Sequence, residues 1–281
     1  MSESFSGIHY GLEDAKYRAV SAVSNSMLTR FAAATPKHFK EGPEFKVTAE
    51  IELGLAIHSA YLTPSLFSQD HVQGQNVDRR TKDGKKAHKL FLAINEGRRV
   101  VPYYDYERCL AVVNELAVHK EVRRLTEKCE PEVSIFWEDN LSILSCKGRI
   151  DLYDQTNARL FDLKTTSKSA SEKEFTKTIL HRGYHRQAAF YLDGLKEIGA
   201  EAKDFYFIVA ETEAPYAIAL YKMDNEFIEL GRREIRGLLQ QYAICARSNF
   251  WPSYPAEVQV LRCPPWLKKD GTKQIIQMEE Y

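Results

Sequence analysis

Residues 147 to 166 read KGRIDLYDQTNARLFDLKTT, and three polar side chains, Asp151, Asp162 and Lys164, stand inside what alternates like two strands. The polar middle, QTN, separates the alternations, as in a hairpin with a buried face. With the turn centred between Thr156 and Asn157, the register sets Tyr153 opposite Leu160, Asp151 opposite Asp162 and Arg149 opposite Lys164. Directly opposed acids bring their Cβ atoms to about 5 Å and destabilise a sheet unless their charge is neutralised. A divalent cation does that. Mg²⁺ binds hard carboxylate oxygens and needs only one or two protein carboxylates when waters and substrate phosphates complete its shell. Lys164 shares a face with Asp162, two residues away, while Phe161 and Leu163 point the other way into a core. A cation so placed can orient or help deprotonate an attacking water and stabilise charge developing on a phosphate, which suits phosphodiester hydrolysis. The spacing also fits an edge hairpin in which Asp162 and Lys164 merely pair on the surface.

The elements that position this hairpin are readable on either side of it. EVSIFWED and LSILSCKGRIDLYD alternate around an Asp139-Asn140 turn, and ARLFDLKTT follows, which predicts a three-stranded antiparallel meander. LHRGYHRQAAFYLDGLKEIG predicts a helix with Tyr184, Gln187, Tyr191 and Leu195 along one face, ending at Gly199. DFYFIVAE and YAIALYKM predict two more strands, followed by a long amphipathic helix capped by Asp224. Upstream, SNSMLTRFAAATP predicts a short helix capped by Ser24 or Asn25 and stopped by Pro36. AEIELGLAIHSAYL predicts another, with Ile51, Leu55, His58 and Leu62 on its packed face. Further helices are predicted over 84–96, 104–119 and 120–128. The order gives an α/β fold, a mixed sheet flanked by helices.

A chain of 281 residues, 44% hydrophobic, can bury a sizeable core. One domain is expected over 1–265, with its core at about 50–247, an N-terminal helical region over 1–50 and a mobile tail over 266–281. Lys plus Arg equals Asp plus Glu at 39 each, so attraction to a polyanion must be local. The candidates are the run Arg79, Arg80, Lys82, Lys85, Lys86 and Lys89, and the group Arg182, His185 and Arg186 beside Gln187. Such groups hold phosphates without reading bases. The five cysteines are scattered without a CxxC spacing, which predicts reduced thiols rather than a disulfide framework or zinc site. No charged start precedes an apolar core at the N-terminus, and no apolar run approaches the roughly 18 residues of a span, so an unexported, membrane-free protein is expected.

An aspartate followed across a turn by Asp-x-Lys, with a helical histidine before and Gln-x-x-x-Tyr on a helix after, resembles the PD-(D/E)XK nuclease superfamily in its RecB-like branch. SNSML (Ser24–Leu28), TPKHF (Thr35–Phe39), GLAIHSAYL, CKGRIDLYD, FDLKTT and YHRQAAFYLDG occur in the order seen in RecE-type exonucleases, the exonuclease VIII family, over about residues 9 to 255. The resemblance implies a restriction-endonuclease-like core. It places His58, Asp151 and Asp162 at a metal, with Leu163 lending a backbone carbonyl and Glu132 a further acid. It makes Lys164 the catalytic lysine, and has Gln187 and Tyr191 position the lysine and the DNA end. Arg182, Arg186, Arg79 and Arg80 are then candidate DNA contacts. Mg²⁺, replaceable by Mn²⁺, is the implied cofactor. An iron-sulfur cluster is not expected, since it needs four suitably spaced thiolates. The implied activity is digestion of double-stranded DNA from an end, 5′ to 3′, leaving 3′ overhangs for a single-strand annealing protein in recombination or repair. A ring-shaped homo-oligomer, trimer or tetramer, in a bacterial or phage-infected cytoplasm completes the implication. A restriction-type or CRISPR-associated nuclease of the same fold is an alternative, as is a DNA-binding module without chemistry, against which the intact Asp151, Asp162 and Lys164 argue. Gly148 adds a structural question, because a bulge there would slide Glu132 relative to Asp151.

Overall fold

The computed structural model describes residues 5–43 and 46–264. Its N-terminal part is built of short pieces: β1 (Gly7–His9), α1 (Asp14–Ala19), β2 (Val23–Ser24), α2 (Asn25–Ala32) and α3 (Pro36–Glu41). The Ser24 hydroxyl accepts from the Met27 amide and that of Thr35 from the His38 amide, so each starts a helix by satisfying a free N–H. Pro36, expected as a stop, instead opens α3, where a missing N–H is harmless. Two and three residues are too few to show strand periodicity, yet β1 pairs with the main sheet through Ile8 and Ile135, and β2 through Val23 and Cys146. The region before residue 50 is therefore not only helical.

Next come α4 (Ala49–Leu62), α5 (Pro64–Asp70), β3 (His71–Gln73), α6 (Lys82–Ile94), β4 (Arg99–Val101), α7 (Tyr103–Val118) and α8 (Lys120–Thr126). The buried face of α4 is Leu53, Ala56, Ile57 and Ala60, whereas Leu55 is 50% exposed. The expected line through Leu55 is thus displaced. Apolar residues at 51, 53, 55 and 57 surround the helix axis, so tertiary packing rather than periodicity chooses the face. His58 ends at its margin, half-buried. β3 and β4 form a separate parallel pair, and α6 between them carries Lys82, Lys85, Lys86 and Lys89 of the basic run and buries none of its residues.

The remaining elements are β5 (Glu130–Asp139), β6 (Leu144–Asp154), β7 (Arg159–Thr166), α9 (Glu172–Arg182), α10 (Tyr184–Glu197), β8 (Asp204–Glu211), β9 (Ile218–Lys222) and α11 (Asn225–Ser248). The expected strand start at Leu141 falls in the β5–β6 turn, where Ile143 takes a positive φ and Asp139 accepts from the Ser142 amide. The single helix expected over 180–199 is broken, because Gly183 adopts φ 70° between α9 and α10. The sheet runs β1-β5-β6-β7-β8-β9, with β2 beside β6. β5, β6 and β7 are the antiparallel meander, and β8 lies parallel to β7 because the two helices between them form a crossover.

Both faces of the sheet are covered. On one, Ile150, Tyr153, Leu160 and Phe207 pack with Phe175, Ala188, Tyr191 and Leu239 from α9, α10 and α11. On the other, Leu152, Phe161, Leu163 and Ile208 pack with Ile57, Val112 and Leu116 from α4 and α7. Cys109, Cys146 and Cys245 are buried, Cys129 is half-buried and Cys263 exposed, all as free thiols. Among the described residues no helix is long and apolar enough to cross a membrane. The tail over 266–281 lies outside the described residues.

Candidate active site

The hairpin closes in the expected register as far as it goes: Asp154 pairs with Arg159, Tyr153 with Leu160 and Leu152 with Phe161. Asp154 pins the turn, accepting from the Asn157 amide and the Arg159 guanidinium, each at 3.0 Å. Pairing then stops. The expected ladder partners Asp151–Asp162 and Arg149–Lys164 do not form, because β7 leaves β6 after Phe161 and continues along β8, where Asp162 lies beside Phe207 and Lys164 beside Val209. Higher on the same edge of β6, β2 pairs with Cys146 and Lys147. Gly148 to Asp151 therefore border an open wedge. Across it the Leu163 amide donates to Asp151 Oδ2 at 2.8 Å, a side chain replacing the lost ladder acceptor.

The third acid enters from β5. Pro131 pairs with Leu152 and Val133 with Ile150, which sets Glu132 opposite Asp151, but Glu132 has φ 52° and neither residue joins the ladder. The distortion reverses the pleat: Ile150 and Leu152, two apart, pack on opposite faces of the sheet. Gly148 pairs regularly with Ile135, so the bulge considered there is absent. Its role is clearance, since a Cβ at 148 would lie 2.8 Å from the Tyr191 ring. Arg149 turns toward the N-terminal segment, with Nη1 3.0 Å from Asp14 and 3.6 Å from Glu132.

Asp162 and Lys164 share the α10 face as expected, and they are joined there by Gln187. Lys164 Nζ lies 2.6 Å from Asp162 Oδ2 and donates to Gln187 Oε1 at 2.9 Å, while the Gln187 amide donates to Asp162 Oδ1. From the opposite helical layer, His58 Nδ1 comes to 3.5 Å from Asp151 Oδ2. Burial first and Asp162 second push the Asp151 pKa up to about 6; burial and then Asp151 push that of Glu132 up to about 7. Burial opposes the Lys164 charge, but Asp162, Tyr184 and Asp151 outweigh it and hold its pKa above the ordinary lysine value. Lys164 is therefore a charged ammonium that can orient a water or stabilise an anion but holds no free lone pair to take a proton.

These groups fit a hard divalent cation in a limited way. Among the described residues, no three His, Cys, Asp or Glu side chains converge as a ready cluster, so His58, Asp151, Asp162 and Glu132 are not gathered around one point as expected. The splaying of β7 separates the acids, and Glu132 is drawn to Arg149. Yet Asp151 and Asp162 remain neighbours across the wedge, and among the described residues the buried Asp162 Oδ2 has the Lys164 ammonium as its partner, at 2.6 Å. Two carboxylates, with the Leu163 backbone between Asp162 and Lys164, are an adequate protein share for Mg²⁺.

The expected DNA contacts divide. Gln187 and Tyr191 are buried, so Gln187 serves Lys164 and Asp162 and Tyr191 fills the space over Gly148. Arg182 is exposed, but it ends α9 instead of sharing a helix with Gln187. His185 faces inward, 3.0 Å from Glu234, and Arg186, 16% exposed, pairs with the same carboxylate. Among the described residues both are therefore engaged by Glu234. Arg79 and Arg80 are exposed ahead of α6, with Arg80 on Asp78. Tyr184 and Glu234 escaped sequence reasoning as contributors. Tyr184 stands three residues before Gln187 on its face, a signal that was present; Glu234 had none.

A sequence model of the "PDDEXK-like domain of unknown function (DUF3799)" matches residues 24–264. The chain belongs to this family. Among solved structures, the PDDEXK-like domain is similar to a Eubacterium rectale protein described as a "putative exonuclease", at 12% identity and a TM-score of 0.58, over 94% of this chain and 99% of that one. It also matches a phage related exonuclease from Haemophilus somnus 129PT at 13% identity and a TM-score of 0.31, over 77% and 95% of the two chains. No curated protein matches by sequence. At such identities the first likeness concerns the fold alone, and it agrees with the mixed, helix-flanked sheet described above.

Proposed function

We propose that this PDDEXK-like domain is a metal-dependent exonuclease that hydrolyses double-stranded DNA from an end. The observation that carries the reading is the Asp162–Lys164–Gln187 network beside Asp151 in the open wedge. Bound there, Mg²⁺ would neutralise the acids and polarise a phosphate. Asp151 and Asp162 would hold it, with the Leu163 carbonyl as a further ligand. The Lys164 ammonium orients the attacking water and stabilises charge on the phosphate, and Gln187 keeps the ammonium and Asp162 in register. His58 fixes the Asp151 carboxylate from the other layer. Digestion from the 5′ end, a single-strand annealing partner and a ring of three or four copies accompany this reading; the similarity in fold to the Eubacterium rectale protein is consistent with the exonuclease part.

The test is digestion of linear duplex labelled separately at its 5′ and 3′ ends, with Mg²⁺ and with EDTA. Loss of one end label before internal fragments appear is expected, with none in EDTA. Lys164→Ala should lower the rate at least about a hundredfold, the scale of a transition-state cation in a water-poor site. Activity that survives Lys164→Ala sinks the site assignment, and internal fragments from the outset make the enzyme an endonuclease.

A further inference from the structure

The nuclease reading leaves open what holds Lys164 on the side away from its two polar partners. Its ammonium has three N–H donors. Asp162 lies at 2.6 Å and Gln187 at 2.9 Å. The remaining side is covered by an aromatic face: Nζ stands 4.4 Å from the Tyr184 ring centroid and 5.9 Å from that of Phe207. Tyr184 is the first residue of α10, directly after the left-handed Gly183, and Gln187 follows three residues on. One helical turn therefore delivers both the amide and the ring to the same cation. Among the described residues the Tyr184 hydroxyl makes no hydrogen bond, so what the side chain offers Lys164 is its π face. Lys164 is only 16% exposed, and a cation over a ring gains most where water is excluded.

Resting on the nuclease reading, we propose that Tyr184 is a positioning residue: its π face holds the Lys164 ammonium against Asp162 and Gln187, ready for the phosphate at the wedge. The ring restricts the rotamers open to the ammonium. Substrate binding does not depend on it, so the effect falls on kcat rather than KM.

The experiment separates a π contact from space filling. Tyr184→Phe is compared with 3,4,5-trifluorophenylalanine at position 184, which keeps the ring's shape and largely cancels its quadrupole. Cleavage kinetics are read beside the ring-current shift of the Lys164 ε-methylene, assigned by its loss in Lys164→Ala. The Phe variant should keep kcat within about twofold and retain the shift. The fluorinated variant should melt at the same temperature yet lose about tenfold in kcat, with KM within about twofold and the methylene moving toward its solvent position. A fluorinated variant equal to the Phe variant in kcat and in methylene shift overturns the proposal. If the wild type cleaves no DNA, the nuclease reading fails, and equal methylene shifts in the two variants still refute the contact while different ones support it.

Discussion

Glu132 and Asp151 lie side by side on β5 and β6, and burial raises both carboxyls, with Asp151 adding to the shift of Glu132. The consequence for stability has a definite sign. A carboxyl at about 7 in the fold and about 4.3 in the unfolded chain binds more protons when folded between those values. Folding is then favoured at the acid end of the window and loses that contribution as pH rises through it. In EDTA, the melting temperature of the wild type should fall relative to Glu132→Gln between about pH 4 and pH 7, and the two curves should run parallel outside it. A constant offset across the window would place the Glu132 carboxyl in water. The same residue shows why its backbone escaped the sequence. Nothing in PEVSIF marks position 132 as left-handed, since the φ of 52° arises where two strands must change face together. That Asp162 and Lys164 share a face was legible because residues two apart on a strand do. Gln187 entered through the family resemblance, and the pairing of Asp151 with Asp162 was misjudged because the hairpin ladder ends early. The partner of Arg149 was not legible, because the ladder that would have joined it to Lys164 ends at Phe161.

At the level of elements, the corner between α9 and α10 decides whether Tyr184 and Gln187 reach Lys164. Gly183 holds it in a conformation that costs an alanine about 1–2 kcal/mol, and a Cβ there would also meet the Arg186 guanidinium. Gly183→Ala should therefore lower unfolding stability in denaturant by about 1–2 kcal/mol. It should also lower the cleavage rate more than that loss explains, because the start of α10 shifts while the acids stay. Full activity in a destabilised variant would mean that the corner serves folding only. A lone glycine inside an amphipathic run reads as a tolerated helical residue, which is why one helix was expected over 180–199. The three strands of the meander, α10 and α11 were readable from long periodic segments and from caps such as Asp224, whereas most of α9 was not. β1 and β2 are too short for any period to register, and α4 is too uniformly apolar to reveal its buried side.

In the whole molecule, the wedge is where the two helical layers meet through the sheet: His58 comes from α4 on one face and Gln187 from α10 on the other. Under the proposed reading, a cation held there by Asp151 and Asp162 would stabilise the folded state alone, by the mass action of any ligand specific to it. Mn²⁺ or Mg²⁺ at about 100-fold above its Kd should raise the melting temperature by several degrees, and Asp151→Asn should abolish the rise. An unshifted wild-type melt at saturating metal would count against the two-carboxylate site. The parting of β7 from β6 also bears on how such a chain is made. Among the described residues, the strand carrying Asp162 and Lys164 has only β8 as its ladder partner beyond Phe161, and β8 follows α9 and α10 in the sequence. A growing polypeptide thus exposes its acids and lysine well before the strand and helix that arrange them. Under the proposed nuclease reading an unfinished copy would lack the arranged centre, so the order of synthesis would act as a safety catch on it.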